Sequence, residues 1–322
     1  MKIDFNKIPK FSQLPVRKGA PADSNWGVFG DDDEAGCVNF LTPEGIVAAA
    51  QLVRTGKVFR LDTPVNYASP PLFDREPVEH IKKSFESYGL LGFDDLLNSY
   101  NTQEGSQWDG LGHVGNLQAQ AFYNGVTDKE IKQSKKLGIH NWADRFVGRG
   151  VLIDACRFRE SAGRPLNPLT DDKYTLDDLK DALKAQKTEL KPGSIMLVRT
   201  GWMGAYLACS PEQKRAMAPL DKLKACGVES SRELVAWLWD NRVAAIGTDC
   251  PAVEPWPWGF KDHGALHYRT LSLLGLPLGE QFVLDKLASD CAADQRYEFM
   301  LVSVPLHLTG GIASPPNAVA IK

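Results

Sequence analysis

No two cysteines of the chain form a CxxC pair. The six, Cys37, Cys156, Cys209, Cys226, Cys250 and Cys291, are scattered over 322 residues. That spacing excludes a zinc knuckle or a disulfide-stapled scaffold and reads as free thiols in a reducing, cytoplasmic setting. No apolar run approaches the roughly 18 residues of a membrane-spanning helix. The opening Met1–Lys7 has no apolar core of a secretory signal, so none is expected. A net charge of −3 and a pI near 6.1 offer no basic face to nucleic acid or anionic lipid. GxGxxG, GxxxxGK[ST] and GxSxG are all absent, which removes support for nicotinamide chemistry, nucleotide hydrolysis and the serine-hydrolase elbow. An enzyme acting on a small molecule remains.

What is present is an ordinary globular composition, 43% hydrophobic and 24% charged, on a length that easily supports a large core. The Pro-, Gly- and Asp-rich stretch up to about residue 40 is expected to wrap the surface. Thr42-Pro43-Glu44 then opens a helix through Ile46–Val53: a capping hydroxyl, a proline in the first turn and an acid at the positive dipole end. Gly56 should stop it, and Val58–Val65 reads as a strand. Gly150–Cys156, Ser194–Thr200, Val243–Thr248 and Phe299–Pro305 read as buried strands. Between them lie helical patterns. One is capped by Thr175–Asp178, one spans about Ser230–Asn241 and one about Glu280–Ala288. Interleaved strands and helices predict an α/β fold, with crossovers too irregular for a doubly wound sheet. We expect residues 1–56 to form an N-terminal extension and helix, and 57–322 one structural unit.

Three segments carry candidate chemistry. The first runs from Gln103 through Gln107, Trp108 and Asp109 to His113 in a Gly-rich stretch. Even spacing would place Gln103, Gln107, Asp109 and His113 on one face of an extended strand. A buried Asp needs partners, which the two amides and the imidazole can provide; those groups could equally bind a substrate carbonyl or a divalent ion. The plainer alternative is a turn around a satisfied Asp. The second segment is His263–His267 followed by Leu274–Glu280. Its histidines at i and i+4 suit a metal on a helix but lack the glutamate of HExxH. The third is Gly247–Glu254 after a strand, where Asp249 and Glu254 are candidates for substrate or structural contacts. Cys250 has no evident base to activate it. Trp256-Pro257-Trp258 could form an aromatic wall or simply a rigid loop.

Several blocks in order resemble the cyclase family that includes bacterial kynurenine formamidase and isatin hydrolase, in its longer branch. They are Gln107-Trp-Asp-Gly-Leu-Gly-His113, Phe122-Tyr-Asn-Gly125, Val147–Asp154, Lys191-Pro-Gly193, Arg199–Trp202, Leu266-His267, Leu278-Gly-Glu280 and Thr309-Gly-Gly311. The resemblance implies a swivelling β/β/α fold with a central mixed sheet or barrel behind an N-terminal helical extension. It also implies a hydrolytic or cyclising enzyme, homodimeric or of higher order. The family's metal motif is His-x-Gly-Thr-His-x-Asp-x-Pro-x-His. On this chain Gly105, Ser106, Asp109 and His113 match its glycine, threonine, aspartate and last histidine. Its two ligand histidines fall on Gln103 and Gln107, and its proline on Leu111. Further metal ligands of the family correspond to His267 and Glu280.

Amide oxygens are weaker, harder donors than imidazole. A set of Asp109, His267 and Glu280 would therefore suit Mn²⁺ or Mg²⁺ better than Zn²⁺, unless the metal is gone altogether. The first expectation is a hydrolase of a cyclic or aryl amide or a lactone. His113 would act as base, Asp109 and Glu280 as catalytic partners, and Gln103 and Gln107 would orient carbonyl or water. The second is a metal-independent cyclase, dehydratase or isomerase using His113, Asp109 and Glu280, with Trp108 and Trp202 shaping the substrate. A third is a small-molecule-binding protein without turnover.

Overall fold

A computed structural model describes residues 3–258 and 264–322. The helix α1, Pro43–Ala50, begins as its residues dictate: the Thr42 hydroxyl accepts from the Gly45 N–H, and Pro43 occupies the first turn. It stops at Ala50, short of Val53. The chain then turns back through Gly56, whose φ of +72° is open to glycine, and the Thr55 and Gly56 N–H groups close on the Lys322 carbonyl.

Nine strands form one curled mixed sheet: β1 Val58–Arg60, β2 Gln107–Asp109, β3 Val147–Ile153, β4 Ile195–Val198, β5 Ala245–Thr248, β6 Leu278–Glu280, β7 Glu298–Ser303, β8 Ala313–Ser314 and β9 Ala318–Ile321. Their order is β1-β9-β7-β3-β4-β5-β6-β2-β8. The centre, β3 to β6, is parallel. Its strands β3, β4 and β5 are built from the apolar runs that a strand covered on both faces requires, while β6 is the short Leu278-Gly279-Glu280. Antiparallel strands flank the centre on each side. β1 ends at Arg60, short of the predicted Val65, with one more N–H, that of Leu61, on the Ala318 carbonyl. Glu280 ends strand β6 and does not start a helix; the helix beyond it is Asp285–Asp294. The segment between Arg75 and Gln103 forms a hairpin, Glu79–Ser84 paired with Phe93–Asn98, that stands largely in solvent. All six cysteines are free, and among the described residues no helix is long and apolar enough to cross a membrane.

Strand β2 pairs antiparallel with β6 in the register Gln107 opposite Glu280, Trp108 opposite Gly279 and Asp109 opposite Leu278. Successive side chains of a strand alternate in direction, so Trp108 points away from its two polar neighbours and into the core. It is stacked on Phe146 at 4.6 Å and set edge-on to Phe282 at 5.0 Å, and its indole N–H donates to the Ser303 hydroxyl at 3.0 Å. A Cβ at Gly279 would sit 2.5 Å from that indole, so only glycine fits there.

Three residues expected at the substrate therefore have other surroundings. Trp108 is sealed in the core, and so is Trp202, stacked on Tyr206 at 4.9 Å. Alternation on a strand and helix packing, not a cavity, decide where these indoles go. Asp249 is fully buried and accepts from the Thr200 N–H (2.6 Å), the Thr200 hydroxyl (2.7 Å) and the Gly201 N–H (2.9 Å). It pins the chain as it leaves β4. Asp249→Ala would strand these donors, and an expected loss of about 3 kcal/mol should appear in urea denaturation. A substrate contact would instead raise KM with the denaturation midpoint unchanged.

Candidate active site

Gln107 and Asp109 lie two apart on β2, so their side chains share a face, and the register adds Glu280 from β6 to it. Gln103 and His113 are not on that strand, contrary to the even-spacing expectation. Gln103 arrives from a turn in which its N–H bonds the Asn101 side chain. His113 arrives from one closed by its own N–H on the Gly110 carbonyl. His267 sits at the head of a π-type helical turn, Tyr268–Leu274, a rare geometry that concentrates at functional sites. Its neighbour in the motif, His263, lies outside the described residues.

The side chains meet closely. The Gln107 amide N–H₂ donates to Glu280 Oε2 at 2.6 Å and to Asp109 Oδ1 at 3.3 Å. The Gln103 amide N–H₂ donates to Asp109 Oδ1 at 3.0 Å and faces the His113 ring nitrogens at 3.1 and 3.2 Å. His267 Nε2 lies 3.3 Å from Glu280 Oε1 and 3.6 Å from Asp109 Oδ2, and its Nδ1 is 2.9 Å from Glu254 Oε2. Glu254 also accepts the His267 N–H at 3.2 Å. Both glutamines thus spend their N–H₂ groups inside the protein. Carboxylates this deeply buried require every donor within reach, so these N–H₂ groups are turned to them and not to the cavity.

Burial and charge split the titrations. Burial and the neighbouring Asp109 carboxylate push the Glu280 carboxyl up to about 8. Asp109 is equally buried, but His113, His267 and the Gln103 amide outweigh that and hold it below the usual carboxylate range. Burial opposes charge on His267 too, yet Glu254, Asp109 and Glu280 together keep it protonated well above the ordinary imidazole range. His113 is lowered, first by burial and then by the positive charges of His267 and Arg75, with Asp109 opposing. Near neutrality this gives an ionised Asp109, a protonated Glu280, a cationic His267 and a neutral His113, the divergence that marks acid and base roles.

The donor set also fits a divalent cation. Ligand atoms of Asp109, His113 and His267 lie within 4.8 Å of one another. Among the described residues, Asp109 Oδ2 and Gln107 Oε1 are buried acceptors with no hydrogen-bond donor. Two imidazole nitrogens with a carboxylate and an amide oxygen suit zinc or manganese. The group closest together takes His113 where Glu280 was expected.

Above these groups opens a cavity of about 330 Å³, floored by Gln107, His113, His267 and Glu280 and walled by Phe73, Leu220, Trp256 and Trp258. The Trp258 ring stacks on His267 at 5.3 Å. A second cavity of about 220 Å³ beneath α1 contains Arg149. That side chain is committed to Glu298, Ser194 and the Glu189 carbonyl, so its charge is already matched within the protein. Sequence reasoning missed Arg75, which lines the main cavity and donates to the Gln103 carbonyl. It lies in a Pro-rich stretch without periodicity, where no local pattern distinguishes it from a solvated arginine.

A family model named Cyclase, putative cyclase, matches residues 59–255, and the chain belongs to that cyclase family. A solved structure described as a novel cyclase is 34% identical, with 93% of this chain and 99% of that one covered and a TM-score of 0.81. Isatin hydrolase A from Labrenzia aggregata, solved with benzyl benzoate, shares the fold at 15% identity over 84% of this chain and 94% of its own, TM-score 0.55. An isatin hydrolase bound to the product analogue thioisatinate is 19% identical over 86% and 96%, TM-score 0.53. No curated protein matches the sequence.

The buried acid makes stability depend on pH. Folded Glu280 keeps its proton to about pH 8, whereas in the unfolded chain it is lost near 4.5. Between these values the folded state binds more protons, so stability falls as pH rises, and His267 adds the same sign above 6.5. In chelator-treated protein the unfolding free energy is expected to drop by a few kcal/mol from pH 5 to 8. Glu280→Gln should flatten that slope in urea titrations at several pH values.

Proposed function

We propose that this protein is a hydrolase that opens a small cyclic or aryl amide, or a lactone. The observation that carries the reading is the pairing of a neutral His113 with a proton-bearing Glu280 on the floor of one aromatic-walled cavity. His113 takes a proton from a water molecule as the water oxygen bonds to the carbonyl carbon. The carbonyl electron pair moves onto oxygen beside the positive charge of His267. When that pair re-forms the carbonyl, the C–N or C–O bond breaks, and Glu280 passes its proton to the departing nitrogen or oxygen. The proton held by His113 then returns to Glu280 through solvent. Asp109 stays ionised and, with Gln103, keeps the His113 ring in place. If His267 released its Nε2 proton, Asp109, His267 and Gln107 Oε1 would hold a divalent cation, which would supply Lewis acidity at the carbonyl or the water in place of the imidazolium charge.

The fold shared with isatin hydrolases supports this reading and makes isatin, a cyclic aryl amide, the first substrate to try. Isatin, an aryl formamide and an aryl lactone, each with and without a carboxylate on the aromatic ring, are the panel, with ring opening or deformylation followed by absorbance. His113→Ala is expected to lower kcat by roughly 10²- to 10⁴-fold with an unchanged melting temperature. The rate should fall on the alkaline side near pH 8, where Glu280 loses its proton. On the acid side it should fall below 6.5, where His113 gains one. Turnover of no member of the panel, or full turnover by His113→Ala, would sink the proposal. Chelator treatment separates the contributions. Activity that survives it belongs to the side chains alone, and activity lost and then restored by Mn²⁺ or Zn²⁺ gives a cation its part.

A further inference from the structure

Arg75 reaches the cavity from a turn of unusual backbone. Phe73 and Asp74 both hold φ in the left-handed region, at +64° and +56°, which bulky side chains rarely adopt. The turn is pinned by the Phe73 N–H on the Ala218 carbonyl at 3.1 Å and by the Phe73 ring set edge-on to Trp256 at 5.0 Å. Its effect is to lay the Arg75 guanidinium over the Phe73 ring, 5.0 Å from the centroid, on the wall of the cavity that holds His113 and Glu280.

The charge placed there has no ion-pair partner among the described residues. One guanidinium nitrogen donates to the Gln103 carbonyl. Among the described residues no carboxylate oxygen lies within the 4.0 Å of an ion pair, and Asp109, Glu280 and Glu104 act on it only from farther away. His267, the other cation, is by contrast surrounded by Glu254, Asp109 and Glu280. The guanidinium therefore keeps part of its donor fork unspent, in the planar arrangement that matches a carboxylate with two parallel N–H bonds. Phe73, Trp256 and Trp258 supply a ring-sized apolar surface next to it.

We propose that Arg75 anchors a carboxylate carried by the substrate, so that the cavity selects aryl amides or lactones whose ring already bears an anionic group. This rests on the hydrolytic reading above for the reaction but not for the binding. The test uses benzoate and its neutral isostere benzamide as probes, with Kd read from indole fluorescence in chelator, so that no metal ion supplies the same preference. Wild type is expected to bind benzoate at least about tenfold tighter. Arg75→Gln should erase that margin by weakening benzoate alone, and Arg75→Lys, which keeps the charge but not the fork, should retain part of it. Equal binding of the two probes by wild type, or a preference that survives Arg75→Gln, overturns the proposal. Loss of turnover on every lactam with the benzoate preference intact would refute the hydrolase and spare the anchor. Turnover without anion preference would do the reverse.

Discussion

Two carboxyl groups, Asp109 and Glu280, are buried within reach of the same amide and the same imidazole, and the rest of the site is arranged around keeping them together. Two bare charges at this depth would repel strongly in a low-dielectric setting. The register of β2 on β6 puts the Gln107 N–H₂ between them, and the head of the π-type turn brings His267 to the same gap. One carboxyl keeps a proton and the other keeps its charge. Glu254, with Asp109 and Glu280, keeps His267 cationic against its burial, and burial with the charges of His267 and Arg75 keeps His113 neutral against Asp109. The geometry is backbone-born: a one-residue slip between β2 and β6 would turn Gln107 toward the core and Trp108 toward the cavity.

The two glutamines matter here as donors. An imidazole that binds a metal through one nitrogen cannot donate a hydrogen bond from that atom, whereas an amide N–H₂ gives two. At positions 103 and 107, where the family motif has histidines, this chain has groups that donate to Asp109, Glu280 and His113. The floor is thereby held together by hydrogen bonds among its own side chains. The groups left that could hold a metal are Asp109, the two histidines and one amide oxygen.

Much of this architecture is legible in the residues alone. Three of the four strands of the parallel centre show as apolar runs, whereas β6 does not, and the Thr42 and Thr175 caps fall where their hydroxyls predict. Asp109, His113, His267 and Glu280 stand out in the sequence and do converge. Other features depend on tertiary contacts that no local pattern encodes. β2 is three residues long, too short for an alternation to declare itself, and so four even-spaced residues look like one strand. Trp108, Trp202 and Asp249 have the composition of a ligand pocket and the burial of a core. One sequence cannot tell these apart, because the same indole serves either purpose. Glu254 reads as a candidate contact, but its partner His267 lies 13 residues on and is visible only in space. Arg75 carries no periodic signal at all.

The two ends of the hairpin between Arg75 and Gln103 meet at a neck where the Arg75 guanidinium bonds the Gln103 carbonyl. The whole excursion therefore leaves and re-enters the cavity wall at one point. The strands beyond pair with each other and stand largely in solvent. Such an appendage is mechanically insulated from its base: closing a longer loop costs little more than closing a short one, about 0.6 kcal/mol per doubling of length. Evolution can therefore lengthen, shorten or redecorate this arm while the neck keeps the catalytic floor in place.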